Sequence, residues 1–225
     1  MLFARSLAPS GTLSARVTRA PRDTTVWAAF VAGLPLPGLP AEVFRYRVRN
    51  LPNLLRGTWK LLLAQALKAP HFYGVVRARH YKGGGGMLDL GVISLRVVTT
   101  AGVNFIVDAF QGTVEPEILR YHGVGTGVVA EAAGDTALGT ESTLILNPDS
   151  TRATGSLAEG ASANIFRTVG TVTFDGAGAI TEHGVFSQAA TGGGTLLDRS
   201  VFSAINVVSA DSIQFTFELS LAAGG

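Results

Sequence analysis

The chain has 225 residues, of which 47% are hydrophobic and 15% are charged, and this balance excludes a protein that is disordered throughout. It contains no cysteine, which excludes disulfides, cysteine-ligated metal centres and thiol nucleophiles. The net charge of +2 hides an asymmetry: residues 1–86 carry 13 Lys and Arg against 2 acids, a net of +11, whereas residues 87–225 carry 5 against 14, a net of −9. Such a basic segment is expected to bind an anionic surface, which could be nucleic acid, a membrane or an acidic protein face, including the body of a neighbouring copy.

Residues 1–40 are interrupted by Pro and Gly and show little periodicity, so we expect an extended arm that becomes ordered on another surface. Residues 1–22 have several Ser and Thr and no acid, which is also the composition of an organellar transit peptide. The basic bias continues to Lys82, and this favours an arm over a presequence. The apolar stretch 26–40 is too short and too rich in proline to span a bilayer.

Residues 41–70 have the periodicity of a basic amphipathic helix, centred on residues 51–67 and stopped by Pro70. Apolar residues recur there at three- and four-residue spacing, which predicts a common face: Leu51, Leu54, Leu55, Trp59, Leu62, Leu63 and Leu67. Such a helix can lie on a membrane or pack on protein, and packing on its own chain or on a sibling subunit is favoured.

Aromatic and basic residues alternate between Phe44 and Arg49, a mixture that proteins binding single-stranded nucleic acid use. The same alternation suits an edge strand with Phe44, Tyr46 and Val48 packed inward, and we favour that interpretation. Tyr73–Tyr81 repeats the mixture with Arg77, Arg79 and the following Lys82.

From His71 the hydrophobic period changes to two. His71–Lys82 and Met87–Val98 are predicted strands joined by Gly83–Gly86, and Thr99–Phe110 is a candidate short helix that Thr99 or Thr100 could cap. Five apolar residues alternate with polar ones in the predicted strand Asp211–Leu221.

Further strands are expected at Ile118–His122, Asn164–Phe174, Gly184–Gln188 and Leu196–Val208. Their density and the Gly-rich turns between them predict a mainly β fold, with residues 71–225 forming an antiparallel β-sandwich or jelly-roll-like body behind the basic arm of residues 1–70.

Catalytic, cofactor-binding and metal-binding residues are not predicted. The four histidines lack metal-type spacing, so we interpret them as structural or exposed: His71, His80, His122 and His183. Glu182 and His183 are adjacent on a strand and would point to opposite sides, and no Gly-x-Ser-x-Gly elbow surrounds Ser187. Gly123–Gly127 does not have the spacing of a dinucleotide-binding fingerprint and is predicted to be a turn.

Four stretches of the chain resemble a widespread set of tailed-bacteriophage proteins. They are Val97–Phe110 (VVTTAGVNFIVDAF), Arg120–Leu138 (RYHGVGTGVVAEAAGDTAL), Ala179–Ala189 (AITEHGVFSQA) and Gly192–Asn206 (GGGTLLDRSVFSAIN). The resemblance covers about residues 95–225 and implies a structural protein of the virion. No catalytic residues belong to the pattern, so none is carried over.

We therefore expect a capsid cement or decoration protein, located in the virion on the outer surface of the head. Its partners would be the major capsid protein and copies of itself, as a trimer. A cofactor, a membrane and nucleic acid are not expected as partners, and the chain is not expected to be an enzyme. The residues expected to bind partners are basic: Arg5, Arg16, Arg19, Arg22, Arg45, Arg47, Arg49, Arg56 and Lys60. The alternatives are a tail or neck adaptor or fibre-anchoring protein, a nucleic-acid-binding protein that uses the basic arm, and an enzyme acting on host glycans with paired carboxylates.

Overall fold

The computed structural model describes residues 24–66, 71–115, 118–160 and 163–222. In chain order, this part of the protein contains α1 (Thr24–Gly33), α2 (Ala41–Ala66), β1 (His71–Tyr81), β2 (Met87–Val97), α3 (Thr100–Phe110), β3 (Tyr121–Gly125), β4 (Ala153–Thr154), β5 (Ser156–Glu159), β6 (Ile165–Thr173), β7 (Gly178–Phe186), β8 (Leu196–Val207) and β9 (Ser212–Ala222).

The strands form two antiparallel sheets, and the predicted mainly β fold is confirmed. The five-stranded sheet has the order β2-β1-β9-β6-β5, and the four-stranded sheet has the order β4-β3-β7-β8. One hydrophobic core contains side chains from both sheets, among them Val76 and Phe215 of the first and Val185 and Phe202 of the second. The alternation predicted for β9 is confirmed for Ile213, Phe215, Phe217 and Leu219, which are all buried, whereas Leu221 at the end of the strand is exposed.

The elements that local patterns predicted most clearly lie where expected. β1 and β2 form an antiparallel hairpin around the glycines 83–86, with Tyr81 paired with Met87. The α3 helix begins after Thr99, whose Oγ1 accepts a hydrogen bond from the Gly102 N–H at 3.0 Å. An N-cap threonine satisfies one of the free N–H groups of the first turn in this way.

Helices α1 and α2 pack on the outer side of the β1–β2 hairpin and form a second core. Ala29 of α1 and Leu54 and Leu61 of α2 are buried there against Val92 and Leu95 of β2. The expectation of an extended segment up to residue 40 is therefore wrong for Thr24–Gly33, which is helical. Apolar residues surround nearly the whole of α1, so its sequence has no helical period to detect.

Helix α2 begins at Ala41, and this contradicts the edge strand favoured for Phe44–Val48. Tyr46 is buried as expected, but Phe44 and Val48 are exposed because a helix turns them away from Tyr46. Neither α2 nor any other helix in the described residues is both long and apolar enough to cross a membrane.

The predicted turn at Gly123–Gly127 is also corrected, since Tyr121–Gly125 is strand β3. Strands β4 and β5 follow one another in the chain but belong to different sheets, with Gly155 alone between them. A Cβ atom on Gly155 would lie 2.7 Å from the Arg120 carbonyl oxygen and 2.7 Å from His122 Nε2, so only glycine fits this crossing.

Candidate interaction surface on helix α2

On its buried face, α2 forms side-chain hydrogen bonds to backbone groups at the edges of both sheets. Asn50 donates from Nδ2 to the Ile93 carbonyl of β2 at 2.8 Å, and its Oδ1 accepts from the Ser203 N–H of β8 at 2.9 Å. β2 and β8 are edge strands, which otherwise present unpaired backbone groups. Asn50 thus joins the edge of one sheet to the edge of the other.

Arg47 and Arg96 add polar contacts at the same junction. Arg47 is only 9% exposed and donates from Nε to the Leu90 carbonyl at 3.0 Å and from Nη1 to the Leu34 carbonyl at 3.2 Å. Arg96 of β2 donates from Nη1 to the Asn53 carbonyl of α2 at 2.8 Å. Burial lowers the pKa of Arg47, and Asp89 partly opposes that effect. Of the arginines predicted to bind partners, Arg47 is therefore engaged within its own chain.

A second apolar face of α2 points to solvent. Its members are separated by four or seven residues, which places them on one side of a helix: Phe44, Val48, Leu55, Trp59 and Leu63. Trp59 is 66% exposed. The sequence-based grouping of Leu54 with Leu55 and Trp59 is corrected, because Leu54 is fully buried on the opposite side.

Arginines border this apolar face along its length. Arg45, Arg49 and Arg56 are exposed, and none of them forms an ion pair with an acid of the described residues. Lys60 follows Arg56 by one helical turn. We call the exposed apolar residues together with Arg45, Arg49 and Arg56 the α2 surface. The other residues predicted to bind partners lie outside the described residues: Arg5, Arg16, Arg19 and Arg22.

The α2 surface combines residue types that are common at protein interfaces. Trp and Arg are enriched among the residues that dominate binding energy, and an apolar centre with a charged border is the usual anatomy of an interface. The sequence contained a signal that the prediction did not use, because the four- and seven-residue spacing runs back from Trp59 through Leu55 and Val48 to Phe44. One apolar side of α2 packs on its own chain, and the other lies in solvent.

Two of the buried histidines, His122 and His183, pack against each other in the core. His122 Nδ1 lies 2.9 Å from His183 Nε2, and His122 Nε2 lies 3.1 Å from Thr168 Oγ1. The His183 ring stacks on Phe215 at 4.4 Å between centroids. Burial lowers the pKa of His122 to about 3, and burial together with the charge of His122 lowers the pKa of His183 well below its ordinary value. Both rings are neutral near pH 7 and contribute to packing.

The hydrogen-bond geometry also favours one tautomer for each ring. His183 Nδ1 is buried without a partner. If His122 donates from Nε2 to Thr168 and His183 donates from Nε2 to His122, the unpaired His183 Nδ1 is an acceptor without a hydrogen. The reverse arrangement would bury an unpaired N–H group, and unpaired buried N–H groups are rarer in proteins than unpaired acceptors.

Glu182 is fully buried and anchors the loop of residues 126–140. Its carboxylate accepts from three backbone N–H groups, those of Gly127, Gly139 and Thr140, at 2.7–2.9 Å, and from the Arg199 guanidinium at 2.7 and 2.9 Å. Burial alone would raise the pKa of Glu182, but the hydrogen bonds from Thr140 and Arg199 hold it below its ordinary value. No local pattern around Glu182 predicts this role, since every partner lies at least 17 residues away.

No family model, curated protein or solved structure matches this chain.

Proposed function

We propose that this chain is a structural assembly protein that binds a neighbouring polypeptide through the α2 surface. The observation that carries the proposal is the difference between the two sides of one helix. On the buried side, Arg47 and Asn50 bind backbone groups of their own chain. On the other side, Trp59 and its apolar neighbours are exposed beside arginines that have no acidic partner among the described residues.

The setting we propose is the virion of a tailed bacteriophage, where the chain acts as a capsid cement or decoration protein on the outside of the head shell. The body is then a jelly-roll-like β-sandwich, and its partners are the major capsid protein and copies of itself in a trimer. The support comes from the sequence resemblance and from the excess of basic residues in the first 86 residues. A tail or neck adaptor is the second candidate within the same class.

A copy count separates these two locations. Quantitative mass spectrometry of purified particles of the phage that encodes the chain should find hundreds of copies per particle if the chain belongs to the shell. Copies in small multiples of three or six would place it in the tail or neck. Its absence from the particles would refute a virion role.

Substitution of Trp59 tests the α2 surface directly. We expect Trp59→Glu to reduce attachment to particles lacking the native protein by tenfold or more, since buried Trp anchors typically contribute at least about 2 kcal/mol. Leu144→Glu is the matched control, because Leu144 is 77% exposed in the segment between β3 and β4 and is not a member of the α2 surface. Attachment of Trp59→Glu at the control level would contradict the proposed role of the surface.

A truncation that tests the N-terminal segment should stop before α1. Removal of residues 1–40 would also remove Ala29, which is buried in the second core, so loss of binding could result from loss of structure. Removal of residues 1–22 leaves α1 intact. If this shorter deletion keeps full attachment, the segment is dispensable and the α2 surface alone accounts for binding.

A further inference from the structure

Helix α3 and the segment that follows it present a second set of exposed apolar side chains. Phe110 is 80% exposed, and Val107 and Ile118 are also exposed. Residues 100–119 contain three acids and no Lys or Arg. Of these acids, Asp108 and Glu115 belong to the described residues, where neither forms an ion pair. We call the exposed apolar residues with Asp108 and Glu115 the α3 surface.

The α2 and α3 surfaces have opposite charge, and both expose apolar side chains. The α2 surface contains three exposed arginines, Arg45, Arg49 and Arg56, whereas the α3 surface contains two exposed carboxylates, those of Asp108 and Glu115. Each surface presents a large aromatic side chain to solvent, Trp59 on one and Phe110 on the other. Their contact would bury both aromatics and place the exposed arginines of α2 next to the carboxylates of Asp108 and Glu115, neither group having an ion-pair partner among the described residues.

The N-terminal segment of the same chain is a poor occupant of the α2 surface. Residues 1–23 contain four arginines and one acid, so their charge has the same sign as that of α2. Like charges brought together at an interface oppose binding. The acidic α3 surface has the opposite sign and is present on every copy of the protein.

We propose that the α2 surface of one copy binds the α3 surface of the next copy. This inference rests on the proposed function and names the partner of the same surface. Because two different patches meet, a bound pair retains one free α3 surface on the first copy and one free α2 surface on the second. Such a contact continues from copy to copy until a ring closes, or forms an open filament if it does not close.

Two single substitutions test this arrangement. We expect Trp59→Glu and Phe110→Glu each to weaken self-association of the full chain by tenfold or more in analytical ultracentrifugation, while Leu144→Glu leaves it unchanged. The variants should keep the circular dichroism and melting temperature of the wild type, because both aromatic side chains are largely exposed.

Mixing the two variants gives the sharpest result. Trp59→Glu retains an intact α3 surface, and Phe110→Glu retains an intact α2 surface, so their mixture should form a 1:1 heterodimer that does not grow further. If Phe110→Glu self-associates like the wild type, α2 binds a different surface of the second copy and the proposal is overturned.

A charge reversal provides a second route that does not depend on the aromatics. The variant with Arg45, Arg49 and Arg56 changed to Glu and the variant with Asp108 and Glu115 changed to Lys should each be monomeric. All five changes together in one chain should restore association, because both surfaces then carry reversed but matching charges. Failure of that restoration overturns the pairing.

The failure of this inference can be told apart from failure of the proposed function. If the wild-type chain stays monomeric while Trp59→Glu still loses attachment to particles, the α2 surface serves another protein and only the self-contact is refuted. Flotation of the monomer with anionic phosphatidylserine vesicles, dependent on Trp59, would refute both.

Discussion

Helix α2 and the loop of residues 126–140 both present apolar side chains to solvent, but they differ in where their charged groups find partners. Val128 and Val129 of the loop are each 74% exposed. The loop around them is held by Glu182 and Arg199, and Arg199 also binds Asp135 at 2.9 Å. On α2, by contrast, the exposed arginines have no acidic partner in the described part of the chain. Exposed apolar residues indicate an interface best where nearby charges also lack partners.

The loop of residues 126–140 depends on Glu182 for its conformation. We expect Glu182→Gln to lower the free energy of unfolding by about 3–5 kcal/mol, because an amide NH2 would face backbone donors and Arg199 would lose part of its counter-charge. Urea unfolding measures the change, and limited proteolysis near Val128 should accelerate.

Glu218→Gln is the control for that substitution. Glu218 pairs with Arg167 at 3.1 Å near the surface, where removal of an ion pair costs less than about 1 kcal/mol. If Glu182→Gln is no more destabilising than Glu218→Gln, the loop does not depend on its buried anchor.

The attachment of helix α2 to the two sheets depends on Asn50. Asn50→Ala leaves the Ile93 carbonyl and the Ser203 N–H without their side-chain partner, and we expect a loss of about 2–3 kcal/mol. Hydrogen exchange of the Ser203 amide should also become faster. Asn206→Ala, at an exposed position of β8, should change stability by no more than about 0.5 kcal/mol. Unchanged exchange at Ser203 would show that α2 is not held through the strand edges.

Arg96 joins the two regions, since it donates to the Asn53 carbonyl of α2 and pairs with Glu131 of the loop. Asp198 lies close enough to affect it electrostatically, and burial raises the pKa of Asp198 to about 7 despite the opposing effects of Ser200 and Arg96. The ordinary pKa of an aspartate side chain is 3.8. Between those values the folded state holds a proton that the unfolded state releases, so the free energy of unfolding falls as pH rises.

Asp198→Asn should remove this pH dependence. The stability of the variant relative to the wild type should increase from pH 4 to pH 7 by at most about 1.4 kcal/mol per pH unit. Chemical unfolding at a series of pH values measures the difference. His122 and His183 destabilise both proteins equally as pH falls below 6.5, because their folded pKa values are lowered, so their effect cancels. A difference that does not vary with pH would contradict the raised pKa.

Local patterns predicted the parts of the fold that depend on neighbouring residues. The alternation around Phe215 placed β9, and the cap at Thr99 placed the start of α3. The basic amphipathic character of residues 51–67 also identified the helix that carries the candidate site.

The remaining features depend on contacts between residues distant in sequence. Gly125 and Gly127 resembled a turn, but a Cβ on either would lie 2.5 Å from Glu182 Oε1, more than 50 residues away. Arg47 resembled Arg45 and Arg49 in sequence, yet its acceptor is the Leu90 carbonyl, 43 residues later. Which side of α2 would remain exposed could not be predicted before the β2 and β8 edges were known.

The crossing of the chain at Gly155 has a mechanical consequence. Because β4 and β5 belong to different sheets with one residue between them, a shear force that slides one sheet over the other is transmitted directly through the backbone at this point. Displacing one sheet along the other by one residue would need about 3.3 Å of movement, which a connection of a single residue does not allow. The two sheets are therefore expected to resist sliding at the β4–β5 side and to separate first at the β2–β8 side, where side chains of α2 bridge them.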